Sequence, residues 1–479
     1  MGIMVATRPV LTLTGRVINN VVSFIVFCFL DLFDVILCIV YKVVDFLIEA
    51  EWKPCYCSSA KEAIMRIATF LLSEPGESKV VCLRSNKLQL DDVSETLYSR
   101  PSLVSEVSKS TLKELKRLKV EGTTSRSSHS ERIKNGTLRS TFTINSTIIE
   151  MLQGKIGGQQ SHPIPRWSDC HCSTCTSWIS SCKETLYVRV EGPKGNKARE
   201  DVLFIHGFIS SSAFWTETLF PNFSGATNSS YRLMAVDLLG FGRSPKPTDS
   251  LYTLREHIEM IERSVLNPYK VKSFHMVAHS LGCILALAIA VKHPGAVKSL
   301  TLIAPPYFPV PKGEQANQYV LRKVAPRRVW PLIAFGASIA CWYEHISRTI
   351  CLLICKNHRF WEWLAKIVTR NRMRTFMLDG FCCHTHNAAW HTLHNIICGS
   401  AGKIDEYLDA VRDQLTCQVT IFHGKDDELV SLHCSYDIRK RIPRADVMVI
   451  DKKDHITIVV GRQKTFAREL EQIWKYSSR

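Results

Sequence analysis

Ala278-His279-Ser280-Leu281-Gly282 sets a serine between small residues, directly after the apolar run 274–278. Small residues two before and two after a serine are needed where a strand reverses sharply into a helix. That turn strains the backbone at the serine, and bulky neighbours would clash there. It also exposes the hydroxyl at the end of the strand. Ser280 is therefore the candidate nucleophile.

Two further residues complete a pattern whose order along the chain is informative. Asp427 lies three residues after Gly424, in a turn that follows an apolar run, and His455 lies near the carboxyl end of the chain. His455 would be the general base for the serine, and Asp427 would orient it. Asp426 and Glu428 are adjacent carboxylates. We prefer Asp427 because its spacing from Gly424 places it one turn past the strand end.

The second half of the chain alternates between short apolar runs and helical stretches. Runs of four to six apolar residues in that rhythm predict a mainly parallel sheet with helices on both faces. Each motif falls at the carboxyl end of a run, where such sheets bind ligands. With the order Ser, Asp, His, this predicts an α/β-hydrolase fold. The expected strands are 186–190, 201–205, 233–236, 274–278, 300–304, 419–422 and 447–450.

Two backbone N–H groups are candidates for an oxyanion hole. Leu281 begins the helix after Ser280, and the amino-terminal N–H groups of a helix point outward without intrahelical acceptors. Phe208 follows His206-Gly207 at the end of the predicted strand 201–205. We therefore expect the N–H groups of Phe208 and Leu281 to stabilise the developing oxyanion.

A long insertion separates two of the predicted strands. Residues 306–416 amount to about 110 residues, far more than an ordinary crossover. The segment is helical in pattern and predicts a helical cap over the site. A cap rich in aromatic groups suits an acyl chain or another lipid-like substrate, although these aromatics could instead pack the cap helices together. The tryptophans are Trp330, Trp342, Trp361, Trp363 and Trp390.

The amino-terminal stretch 17–48 is the most apolar long segment. As a helix it would carry one charged stripe on an apolar cylinder, which predicts an interfacial helix or a signal-peptide apolar region followed by an amphipathic helix. Cleaved signal and retained anchor both stay open. Cys55 and Cys57, just beyond it, are candidate acylation sites or ordinary cysteines. The stripe consists of Asp31, Asp34, Lys42, Asp45 and Glu49.

These observations divide the chain into four parts. Residues 1–57 form the signal or membrane-anchor segment, and 58–183 form a poorly patterned extension with a disordered linker. Residues 184–305 and 417–479 form the hydrolase core. The helical cap takes up 306–416.

Charge and cysteine usage exclude some classes of partner. The chain has 61 Lys and Arg against 44 Asp and Glu, a net charge of +17, part of it concentrated in 109–139. That stretch lacks interleaved aromatic residues, so it predicts a solvated linker and no nucleic-acid partner. The group 169–175 has three cysteines and a histidine without the paired arms of a zinc ribbon, which favours disulfides or structural cysteines. We assign no metal and expect no cofactor.

Further motifs carry a family resemblance. Beyond the nucleophile turn, the chain resembles the BODYGUARD family of plant α/β-hydrolases, described as lysophospholipases, over nearly its whole length. The resemblance implies a cell-surface or wall-associated protein needed for cuticle formation that acts on cutin or wax precursors. It also implies the triad Ser280, Asp427 and His455. The motifs are Glu51–Cys57, Thr96–Pro101, Arg166–Cys172, Trp342–Thr349, Thr369–Thr375 and Lys453–Gly461.

Three functions remain open at this point. The first is a serine esterase or lipase, such as a lysophospholipase, acting on a lipid or acyl-ester substrate. The second is an acyltransferase that builds cutin polyester with the same triad, and the third is a non-catalytic lipid-binding protein. The apolar segment and four glycosylation sequons, at Asn135, Asn145, Asn222 and Asn228, favour the secretory pathway. We expect the protein at the cell surface, in the wall or anchored to a membrane.

Overall fold

The computed structural model describes residues 3–49, 81–83, 86–88, 93–98, 184–193, 200–247, 250–370 and 374–477. Several features named above lie outside the described residues. These are the candidate acylation sites Cys55 and Cys57, the basic stretch 109–139, the cysteine group 169–175, the sequons at Asn135 and Asn145, and the motifs Glu51–Cys57 and Arg166–Cys172.

A seven-stranded sheet organises the chain from residue 188 onward. Its strands are β3 (Val188–Glu191), β4 (Glu200–Ile205), β5 (Tyr231–Val236), β6 (Phe274–His279), β7 (Val297–Ile303), β8 (Gln418–Gly424) and β9 (Asp446–Ile450), while β1 (Val81–Leu83) and β2 (Asn86–Leu88) form a separate hairpin. Along the sheet the strands run β3-β5-β4-β6-β7-β8-β9, and β3 alone is antiparallel to its neighbour. The predicted mainly parallel sheet is therefore confirmed.

The edge strand β3 begins two residues later than the alternation at 186–190 predicts. The N–H of Leu186 donates to Ser264 Oγ at 2.7 Å, and the N–H of Tyr187 donates to Ser244 Oγ at 2.9 Å. These side-chain acceptors take the donors that a sheet ladder would use, so regular pairing starts at Val188.

Helices cover both faces of the sheet. In β4, Leu203 and Ile205 belong to one buried apolar cluster, whereas Val202 and Phe204 belong to the other. This alternation is expected of a strand buried on both sides. The helices are α1 (Ile3–Glu49), α2 (Ala213–Thr216), α3 (Gly225–Ser230), α4 (Leu254–Ile261), α5 (Leu281–Lys292), α6 (Ala316–Val324), α7 (Leu332–Trp342), α8 (Glu344–Ile354), α9 (His358–Val368), α10 (Thr375–Cys382), α11 (His386–Thr392), α12 (Ile404–Gln414), α13 (His433–Arg441) and α14 (Gln463–Ser477).

The segment between β7 and β8 is helical, as its pattern predicts. It contains α6 to α12, and α12 lies against α5 through Leu408 and Val411, which are buried in the same cluster as the helix after Ser280. Trp342 and Trp390 are buried between helices, whereas Trp330 and Trp363 are exposed. Some tryptophans of the insertion therefore pack between its helices, whereas others lie at the surface.

The amino-terminal helix α1 docks onto this insertion through two acids of its charged stripe, Asp31 and Asp34. Asp31 accepts hydrogen bonds from the guanidinium of Arg327 at 2.9 Å and from the hydroxyl of Tyr343 at 2.5 Å. Asp34 is buried and accepts the backbone N–H of His345 at 3.0 Å. Two of the charges that interrupt the apolar segment are therefore satisfied by protein groups.

The opposite side of α1 is apolar and uncovered. Phe24, Phe29 and Leu47 are each about 70% exposed. The part Val17–Val44 is long and apolar enough to cross a membrane, since 28 helical residues extend about 42 Å. The helix thus combines a protein-facing polar stripe with an outward apolar surface.

Candidate active site

Ser280 occupies the sharp turn between β6 and α5. Its backbone has φ 53° and ψ −122°, which a residue with a side chain rarely adopts. Its N–H donates to the carbonyl of Ile303 at the end of β7, at 2.8 Å, which holds the turn against the neighbouring strand. The turn places the serine beyond the carboxyl end of β6, as the sequence predicts.

Two glycines allow the chain to approach this turn closely. A Cβ on Gly282 would lie 2.7 Å from the carbonyl oxygens of Ile205 and His206. A Cβ on Gly207 would lie 2.9 Å from His279 Nδ1 and 3.1 Å from Ser280 Cβ. Neither site has room for a larger residue, so the loop after β4 can lie directly beside the serine.

The loop after β4 contains the candidate oxyanion donor Phe208. His206 is fully buried, and its Nε2 accepts the N–H of Leu238 at 2.9 Å. Nδ1 must then carry the proton, which it donates to the carbonyl of Gly207 at 2.7 Å. Burial lowers the pKa of His206, against the raising effect of Asp237. A neutral ring therefore holds the loop in place.

Leu281, the other candidate donor, is the first residue of α5. The first N–H groups of a helix have no intrahelical acceptor and lie at the positive end of its dipole. Phe208 follows Gly207 and Leu281 precedes Gly282, the two glycines whose close approach brings the loop after β4 beside the turn, so their N–H groups remain the candidate oxyanion donors.

Asp427 and His455 form a buried pair at the ends of β8 and β9. Asp427 Oδ2 lies 2.7 Å from His455 Nδ1, while Oδ1 accepts the N–H groups of Leu429 and Val430, each at 2.9 Å. The Asp427 side chain is completely buried, whereas Asp426 and Glu428 are exposed. Of the three consecutive acids, Asp427 is therefore the one that reaches the histidine.

The environment of Asp427 keeps it ionised. Burial alone would raise its pKa, but hydrogen bonds from His423, His455 and the N–H of Val430 lower the pKa well below its usual value. An ionised Asp427 accepts the proton on His455 Nδ1. That fixes the tautomer and leaves His455 Nε2 as the basic nitrogen.

His279, which precedes the serine, is a residue of the candidate site that the sequence analysis did not identify. Its Nε2 donates to the carbonyl of His455 at 2.9 Å, and the two rings lie 4.7 Å apart. Its other face stacks on Phe214 at 5.0 Å. Burial lowers the pKa of His279 to about 3, so the ring is neutral. The sequence shows that a histidine precedes the nucleophile, but it does not show that this histidine contacts a residue 176 positions away.

A second loop, after β5, supports the site from the side. Asp237 Oδ1 accepts the N–H of Ser212 at 2.5 Å, and Oδ2 accepts the N–H of Arg243 at 2.8 Å. The Phe241 ring in this loop lies 6.0 Å from the ring of Phe208. The loop therefore braces the segment with the candidate oxyanion donor and places an aromatic ring next to it.

Two groups of side chains in the insertion have the composition of metal ligands. Cys351, Cys355 and His384 form one, and His358, Glu362 and Asp379 form the other. In the second group the carboxylate of Glu362 is already paired with Arg359 and Lys366, at 2.8 and 2.7 Å. Both groups belong to the insertion, and neither contains Ser280, Asp427 or His455.

A family model and several solved structures match this chain. A family model described as alpha/beta hydrolase fold matches residues 202–461. The solved structures that the chain matches include a carboxylesterase from Nitrososphaera gargenis (18% identity, TM-score 0.42, covering 63% of this chain and 98% of that one) and MenH from S. aureus (17%, 0.44, 61% and 99%). The predicted fold class is confirmed by the family match and the sheet.

Relatives in Arabidopsis thaliana match over almost the entire length. "Probable lysophospholipase BODYGUARD 3" is 60% identical and "Probable lysophospholipase BODYGUARD 1" is 55% identical. The first match covers 98% of both chains, and the second covers 97% of this chain and 98% of the relative. The resemblance seen in the motifs is thereby confirmed. The chain belongs to the BODYGUARD family of α/β-hydrolases.

Proposed function

We propose that this protein is a serine ester hydrolase that cleaves lipid-like acyl esters through an acyl-enzyme on Ser280. The observation that carries the proposal is the buried Asp427–His455 pair, which contacts the nucleophile turn through His279. Relatives named as lysophospholipases support an acyl-ester substrate. The family resemblance adds a role in making the cuticle.

The first half of the reaction is acyl transfer to the enzyme. Ser280 Oγ attacks the ester carbonyl while His455 Nε2 takes the hydroxyl proton, and Asp427 stabilises the imidazolium. The carbonyl oxygen becomes an oxyanion that accepts the N–H groups of Phe208 and Leu281. The C–O bond then breaks, and His455 gives the proton to the departing alcohol.

The second half releases the acid. A water molecule attacks the acyl-enzyme, and His455 Nε2 takes its proton. The acyl C–O bond to Ser280 breaks, and the proton returns to Oγ. If a hydroxyl of a growing polyester replaced water, the same steps would make an ester, so the acceptor decides between hydrolysis and transfer.

Product analysis tests the proposal. We would incubate the purified protein and Ser280→Ala with lysophospholipid, monoacylglycerol and hydroxyacyl glycerol, and identify products by mass spectrometry. Free acid made by the wild type and absent from the variant supports hydrolysis. Oligomeric ester lost in the variant would show transfer instead. Equal rescue of a cuticle-deficient plant by both proteins, without a serine-dependent product, would contradict both activities.

We also propose that α1 is retained as a membrane anchor. A lone helix with acids at mid-bilayer is unfavourable by about 3 kcal/mol per Asp. Here Asp31 and Asp34 are paired with Arg327, Tyr343 and His345, so α1 can lie in the membrane interface with its acids facing the insertion and its apolar side facing lipid. A signal peptide that is cleaved off has no need of buried partners in the mature enzyme.

The surface of the insertion supports the same placement. Trp330 and Leu332 are about two-thirds exposed at the start of α7, and Asn19 of α1 donates to the Trp330 carbonyl at 3.2 Å. Trp363 and Val368 of α9 are 58% and 72% exposed. Exposed tryptophans are typical of the water–lipid interface, so the insertion would rest on the membrane beside α1.

Amino-terminal sequencing and carbonate extraction test the anchor. A mature protein that contains residues 17–44 and stays in the membrane pellet at alkaline pH is expected. A mature amino terminus beyond Glu49, with the protein released by carbonate, would contradict the proposal.

A further inference from the structure

The insertion gathers thiols and imidazoles around one point. A sulphur from each of Cys351 and Cys355 and a ring nitrogen of His384 lie within 4.8 Å of one another. Cys351 Sγ is 3.8 Å from His384 Nε2, and the Cys355 thiol also contacts that of Cys382. Two thiols and one imidazole thus lie together inside the protein, and the Cys382 thiol lies beside that of Cys355.

Secondary structure explains how these residues meet. Cys351 and Cys355 are four residues apart along α8 and its end, so they share one helical face. Cys382 is the last residue of α10, and His384 lies in the turn before α11. All four are at least partly buried. The ligands therefore come from two parts of the insertion, α8 with its carboxyl end and the stretch from the end of α10 to the turn before α11.

His384 has the orientation of a metal-binding histidine. Its Nδ1 donates to the backbone carbonyl of Phe381 at 2.6 Å. That hydrogen bond fixes the proton on Nδ1 and turns the lone pair of Nε2 toward Cys351. Histidines that bind metals are commonly held in this way by a carbonyl or carboxylate.

A second histidine beside the cluster gives independent support. His386 lies next to Cys351 and is 5% exposed. Within the described part of the chain, neither of its ring nitrogens meets a partner in hydrogen-bonding geometry. A buried imidazole without such a partner calls for an explanation, and a bound ion or water beside it is one. With an ion at the cluster, the His386 imidazole would either bind the ion or donate its N–H to a thiolate ligand.

We propose that Cys351, Cys355, Cys382 and His384 bind one Zn²⁺ ion in a tetrahedral site. Three thiolates and one imidazole are a ligand set of structural zinc, and the buried position leaves no open place for substrate. Binding releases the thiol protons to solvent and leaves a centre with a net charge of −1. The zinc binds structurally and takes no part in ester cleavage.

The site would fasten the insertion to the loops around Ser280. The backbone of His384 pairs with that of Phe241, which lies in the loop after β5. Gly380 packs so closely on the loop after β4 that a Cβ there would lie 3.3 Å from Ser211 Oγ. An ion at the cluster would therefore fix the position of the cap relative to the candidate oxyanion loop.

Metal analysis of the full-length protein tests the proposal. We would purify it in detergent from eukaryotic cells without added metal and measure zinc by mass spectrometry. About one zinc per chain is expected, and Cys351→Ser and His384→Ala should each reduce it at least tenfold. Cys417→Ser is the matched control, because Cys417 is a buried cysteine directly before β8, outside the insertion. It should retain the zinc.

Two further measurements keep the test decisive if a variant does not fold. Cobalt added to zinc-depleted wild type should give the visible bands of a tetrahedral ion and a thiolate charge-transfer band. Alkylation of the wild type should label Cys351, Cys355 and Cys382 only after chelation. A wild type without zinc or cobalt binding, or a disulfide between any two of these cysteines, would overturn the proposal.

Discussion

Asp34 of the amino-terminal helix accepts a 3.0 Å hydrogen bond from the backbone N–H of His345, a residue 311 positions later. The same carboxylate accepts the N–H of Ile346 at 3.2 Å. It thereby caps the first turn of α8, where a negative charge is favoured by the unpaired N–H groups. The link makes the apolar helix a structural member of the enzyme.

Asp34→Ala should weaken the docking of α1. The substitution leaves two buried N–H groups without an acceptor, which costs about 1–3 kcal/mol. We expect a lower thermal unfolding temperature in detergent. Phe24→Leu, on the exposed side of α1, is the control and should leave the temperature unchanged. An equal effect of both variants would show that the Asp34 contacts do not stabilise the fold.

Asp427→Asn should reduce kcat by about 10⁴ while leaving the fold intact, because an amide favours the wrong tautomer of the histidine. Asp426→Asn is the matched control, since Asp426 is exposed beside it. Steady-state kinetics on a soluble acyl ester would separate the two. If Asp426→Asn were the impaired variant, the acid would be misassigned.

Gly207→Ala should impair catalysis by displacing the turn. The added Cβ would come within 2.9 Å of His279 and 3.1 Å of Ser280, and displacements of about 1 Å at an active site can reduce rates about a hundredfold. Gly225→Ala provides a control because nothing lies within 4 Å of its Cβ position. Unchanged kcat in Gly207→Ala would mean that the loop adapts freely.

Stability should fall as the pH drops below about 6.5. The pKa of His279 and of His394 is about 3, and that of His257 about 4, in each case chiefly through burial. Between these values and the ordinary pKa, the unfolded chain binds protons that the folded chain does not. The free energy of unfolding therefore rises with pH by up to about 4 kcal/mol per pH unit from these three residues.

His279→Phe isolates one of these contributions. Near pH 5 it should reduce the slope of unfolding free energy against pH by about 1.4 kcal/mol per unit, as measured by denaturant unfolding at a series of pH values. His433→Gln, at an exposed position, should leave the slope unchanged. An unaltered slope in His279→Phe would mean that the ring is protonated in the folded protein.

Most of the fold follows from local patterns. Strands buried on both faces are short apolar runs, and the turn at Ser280 needs small neighbours, so the sheet and the place of the serine are readable along the chain. Errors at strand ends arise where a side chain such as Ser264 takes a backbone donor. The sequence also predicts Asp427 as the acid and His455 as the base, and the structure places these two side chains in contact.

The rest depends on contacts between distant segments. The ring of His279 meets His455 across 176 residues, and Cys351 meets His384 only after three helices have packed. The acidic stripe of α1 is visible as a pattern, but its partners are not. Tertiary packing decides these contacts, and no local spacing encodes it.

The docking of α1 also determines when, during synthesis of the chain, the acids of this helix can meet their partners. The helix is made first, yet the partners of Asp34 are translated 311 residues later, which takes about 15 to 60 seconds at ordinary elongation rates. During that interval the acids of the helix have no insertion to pair with. A nascent chain in this state would depend on the translocation machinery or a chaperone to shield it until residues 327–349 emerge.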